Sequence, residues 1–196
     1  AYQAYLFATI NGNQIRVDKS LALELFGINL ENESKDTWSP EKLAVYITRK
    51  FNFTKGTPLE GKIRLAPLTD GETDKSKWLL STAAMVDGIT KLISSNPQRD
   101  RAELTRKRKF YENKTRTVLK DLSDKSVLRD LYIENRDDEI YSILFNYFSS
   151  INKILWSNAE QNSIINKTIG ISALYDVLKS LLEKDISISD FDECIE

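Results

Sequence analysis

Few side chains in this sequence are placed to do chemistry, and the residue types it lacks narrow the choice further. There is no histidine and a single cysteine, Cys194. A Ser-His-Asp triad, a Cys-His pair, a histidine-ligated metal and a thiolate zinc site are therefore excluded for this chain alone. Catalysis would have to rest on Asp, Glu, Lys, Tyr, Ser or Arg, and no complete constellation of these is visible. No metal or cofactor is expected. One cysteine also excludes a disulfide framework within the chain, which favours a reducing, cytoplasmic setting.

Three stretches carry polar groups at suggestive spacing. The first is an amide-rich turn with Asn11, Asn13 and Gln14, followed by Lys19 and Ser20 at a helix start. Such amides can hydrogen-bond a phosphate or base, and helix N-terminal N–H groups favour anions. The alternative is a tight hairpin whose Asn and Gly satisfy turn geometry, with ordinary capping after it.

The second stretch is Gly56-x-x-x-x-Gly61-Lys62, most of a phosphate-binding loop. Ile63 follows where a magnesium-binding hydroxyl is needed, and Ile63, Arg64 and Leu65 read as a strand rather than a helix. The match is rejected.

The third is basic. Residues 99–120 hold nine bases against three acids. Arg99, Arg101, Arg106, Lys107, Arg108, Lys109, Lys114 and Arg116 are the candidate nucleic-acid contacts. Such a run can neutralise several phosphates and then bind in a steeply salt-dependent way. Phe110 and Tyr111 lie within it and could stack on bases. The competing reading is a solvated helical face with those two rings packed on the core.

These stretches need a scaffold. The chain has 196 residues, 41% of them hydrophobic and 29% charged, with a net charge of −1. That is the balance of an ordinary globular chain with a real core. No apolar stretch is long enough to cross a membrane, and no signal peptide is expected.

The pattern predicts a mainly α protein with a small N-terminal β element, of α+β class. Residues 5–17 read as two strands around Asn11-Gly12-Asn13, and Asp18 caps a short helix after them. Trp38-Ser39-Pro40-Glu41 is a helix start, with Leu43, Ile47 and Phe51 on one face. Ser81 is read as the cap of a second helix bearing Met85, Ile89, Leu92 and Ile93, with Leu80 and Met85 as a staple. That helix is expected to end at Asn96-Pro97.

The basic run is either a long exposed helix or a partly ordered insertion. After Asp137, apolar residues from Ile140 to Leu155 recur at three- and four-residue spacing, predicting a long core helix. Asp137, Asp138 and Glu139 suit its dipole. A last helix is predicted over residues 172–184. The expected division is a strand-turn-strand-helix remnant at 1–30, a helical domain at 31–184 and an acidic tail at 185–196. A lone strand pair is rarely stable, so the first segment is expected to complete a sheet supplied from upstream.

Residues 7–21 carry a resemblance. Phe7, Ile10, Asn11, Gln14, Val17, Ser20 and Leu21 resemble the F-x-x-I-N-x-x-Q-x-x-V-x-x-S-L stretch of DGQHR-domain proteins. Segments 56–63, 80–86, 140–156 and 167–170 look similar to later parts of that family, in the same order. The DGQHR motif itself is absent.

The resemblance implies the helical C-terminal part of a larger ParB-like protein, of the kind accompanying bacterial DNA modification (the DndB group). It implies DNA and the upstream DGQHR domain as partners, no membrane partner, and a non-catalytic role for this portion. Two alternatives stand beside it. One is part of a DNA-nicking or nucleotide-hydrolysing enzyme whose catalytic motif lies upstream. The other is a protein-interaction module without a nucleic-acid role. Oligomeric state is not legible.

Overall fold

A computed structural model of the chain describes residues 33–64, 80–106, 115–160 and 163–184. The described part is mostly helical, with a two-stranded parallel sheet. The segment at 1–30, with its expected strands, and the tail at 185–196 lie outside the described residues.

After a short 3-10 turn at Lys35–Thr37, helix α1 spans Pro40–Phe53. It starts where the sequence asks for it. The Ser39 hydroxyl accepts from the Lys42 N–H at 3.4 Å, and Pro40 sits at the first helical position, where its missing N–H costs nothing. Leu43, Ile47 and Phe51 are fully buried along one face. The Thr48 hydroxyl donates back to the Ala44 carbonyl, satisfying its polarity inside the core.

Strand β1 covers Ile63–Arg64 and pairs in parallel with β2, Leu80–Ser81, in the register Ile63 to Leu80 and Arg64 to Ser81. The expected strand is thus present at Ile63–Arg64, and Leu65 lies outside the described residues. Leu80 and Ser81 take a role that their local sequence did not announce. Ser81 makes no side-chain cap; the Thr82 hydroxyl instead donates to the Arg64 carbonyl at 2.6 Å, tying the next helix to the sheet.

That helix, α2, spans Thr82–Ile93 and is buried around most of its circumference. It packs on α1 on one side and on the last helix on the other. It ends at Ile93, so Asn96-Pro97 does more than close it. Pro97 opens α3, Pro97–Arg106, and the Asn96 side chain accepts from the Arg99 N–H at 3.0 Å. The beginning of the basic run is therefore a short helix.

A 3-10 turn at Arg116–Leu119 leads to helix α4, Arg129–Ile133, and then to α5, Asp137–Ile151. Asn135 makes the corner between them at φ 60°, a left-handed conformation that asparagine tolerates. The predicted long helix forms, but its last turn, Asn152–Trp156, widens to π geometry. There the Trp156 ring stacks on Phe148 with centroids 5.8 Å apart.

Helix α6, Thr168–Glu183, begins four residues before the expected 172. Its Tyr147-facing side is anchored by the Tyr147 hydroxyl, which donates to the Leu174 carbonyl. Gly88 in α2 matters for packing: a Cβ there would collide with the Tyr175 ring of α6. The absent side chain lets the two helices approach.

Candidate nucleic-acid interface

The basic run divides into charges consumed by the fold, the exposed Lys120, and charges outside the described residues. Arg116 shows the first kind most fully. Its side chain is entirely buried and pairs with the Asp137 carboxylate through both terminal nitrogens. Its Nε donates to the Trp38 carbonyl at 3.2 Å, and its terminal nitrogens also reach the Tyr132 and Lys35 carbonyls at 3.1 and 2.7 Å. The guanidinium lies 4.5 Å from the Tyr132 ring centroid. Every donor is used inside the protein, so Arg116 is corrected from candidate phosphate contact to internal tie. Asp137, read as a helix-dipole partner, is the other half of that tie.

Arg101 sits on α3 and donates to the buried Glu41 of α1 at 2.7 Å. Arg99 is 34% exposed, lies 3.6 Å from Asp124 and 3.7 Å from Asp100, and donates to the Ser123 carbonyl. Both arginines therefore join elements of the fold, although each keeps part of its surface in solvent. Arg106 closes α3, and its side chain lies outside the described residues. So do Lys107, Arg108, Lys109 and Lys114, and the amide-rich group Asn11, Asn13, Gln14, Lys19 and Ser20.

A second ionic centre, missed by the sequence reading, lies under α3. Arg129 of α4 pairs with Asp100 through both terminal nitrogens, and the Ser94 hydroxyl donates to the same carboxylate at 2.6 Å. Asp124 stands 3.9 Å from Arg129 and accepts four further hydrogen bonds, from the backbone and hydroxyl of Ser95 and of Ser126. Burial alone would raise the Asp124 pKa. The bonds from Ser126 and Ser95 outweigh it and hold the carboxyl below its ordinary range. A local signal did exist in the Ser95 and Ser123-Asp124-Lys125-Ser126 clusters. The partners lie 29 residues apart, so spacing could not join them.

The rejected phosphate-loop match stays rejected on geometry. Gly56 and Gly61 have φ of 81° and 64°, but the Gly56 N–H donates to the Glu60 carboxylate at 2.9 Å. The N–H groups of Thr57, Glu60, Gly61 and Lys62 all go to backbone carbonyls. Lys62 reaches back to the Pro58 carbonyl and across to Asn152 of the π turn. Burial lowers its pKa. The loop is internally closed and holds no free N–H cradle for an anion.

Ser81, Asp87, Lys91, Asp124, Lys125 and Asp176 are among the residues lining an open groove of about 1020 Å³ between α2, the 123–126 loop and α6. No sequence feature singled it out, because its walls come from three separate segments of the chain, within 81–97, 123–126 and 168–179.

Among the described residues no group of three or more acids or cysteines is placed to hold a metal ion. No described helix is long and apolar enough to cross a membrane. Comparison with known proteins finds no matching family model, no matching curated protein and no matching solved structure.

Proposed function

We propose that this chain is the helical, non-catalytic part of a DGQHR-type DNA-associated protein and contacts DNA through the basic segment 106–114. The observation that carries the reading is how the fold uses its arginines. Arg99, Arg101, Arg116 and Arg129 are all engaged by carboxylates. The remaining bases of the run are Arg106, Lys107, Arg108, Lys109, Lys114 and Lys120, and the first five stand in segment 106–114 against the single acid Glu112. The described chain on either side of this segment is tied down, at α3 by the Arg101 to Glu41 pair and beyond it by the buried Arg116. A concentrated positive segment held between two anchored points is suited to phosphate contact.

In this reading the DGQHR motif and its ParB-like fold belong to a neighbouring part of the protein, and any catalytic step belongs there too. The resemblance of residues 7–21 and the order of the later segments support that assignment. The interface is tested by measuring duplex-DNA affinity against salt concentration. Binding should fall steeply between 50 and 200 mM salt, as expected for a protein making several phosphate contacts, roughly 0.9 in log–log slope per phosphate. Replacing Arg106, Lys107, Arg108 and Lys109 together by alanine should flatten that slope and leave the thermal midpoint unchanged. A wild-type chain that shows no affinity at low salt, or a quadruple variant with an unaltered slope, rejects the interface.

A further inference from the structure

We draw no further inference here: the strongest candidate, the surface patch of exposed Ile164, Ile169 and Val177 on α6 and the 3-10 turn before it, carries nothing because nothing in the structure shows what covers it.

Discussion

Two buried arginines of this protein sit in ion pairs of opposite design. Arg116 faces one carboxylate and three backbone carbonyls, all of them inside the core, and its partner Asp137 is fixed at the start of α5. Arg129 faces two carboxylates, Asp100 and Asp124, which share it with the partly exposed Arg99. The first centre is closed and joins four segments of chain. The second opens onto a groove through the 123–126 loop. Arg116 spends every donor inside the core and acts as cement; Arg129 is shared between two carboxylates, one of which lines the groove.

Arg116→Ala should break the comparison most severely. It strands the Asp137 charge and takes one of their donors from three buried carbonyls, so a loss of about 3–5 kcal/mol is expected in denaturant unfolding. Arg116→Lys should recover little of it, because an ammonium cannot reproduce the fork that spans Asp137 and the carbonyls. A variant of Arg116 with wild-type stability would show that the closed centre contributes nothing.

Asp100→Asn should cost less, about 2–3 kcal/mol, because Asp124 remains near Arg129 to share its charge. If the two substitutions cost the same, the proposed difference between a closed and a shared centre disappears.

Asp124 sharpens the comparison through pH. Its folded pKa lies below the ordinary value of 3.8. A depressed carboxyl contributes stability that is fully present above its unfolded pKa and is lost as pH falls through the folded one. The gap in thermal midpoint between wild type and Asp124→Asn should therefore stay constant from pH 7 to about 5 and close below about pH 4. A gap that widened on acidification would contradict the assignment.

The smallest effect belongs to the surface. Arg136 bridges Glu134 and Glu139 at 3.2 and 2.6 Å, and its hydrogen bond to Glu139 lowers that carboxyl's pKa. The trio is solvated, so Arg136→Ala should leave the unfolding midpoint within error of wild type.

The local elements were largely legible. Ser39-Pro40 marks the start of α1 because a cap and an N-terminal proline act within one turn. The spacing of Ile140, Ile143, Leu144, Tyr147 and Phe148 marks α5 because periodicity is a property of the helix itself, and all five are buried. The two-residue strands at 63–64 and 80–81 were half legible. Ile63 has β character, but Leu80 and Ser81 become a strand only because Lys62 presents a carbonyl to the Leu80 N–H at 2.8 Å. Helix α4, five residues long, is too short to carry a period.

The proposed interface rests in the sequence only on a surplus of charge. The run from Arg99 to Lys120 is uniform in type, and nothing local tells Arg116 from Lys114.

By itself, the sequence determined a mainly helical chain, the N-terminal cap of α1, and the exclusion of histidine chemistry and of a thiolate zinc site. Those follow from residue type and from interactions within a few residues. Which positive charges are spent inside the fold, and which residues meet around the groove, only the tertiary structure decided. The cost of burying a guanidinium depends on carboxylates and carbonyls that arrive from elsewhere in the chain, 21 residues away for Asp137 and 78 for Trp38. No local pattern encodes their arrival.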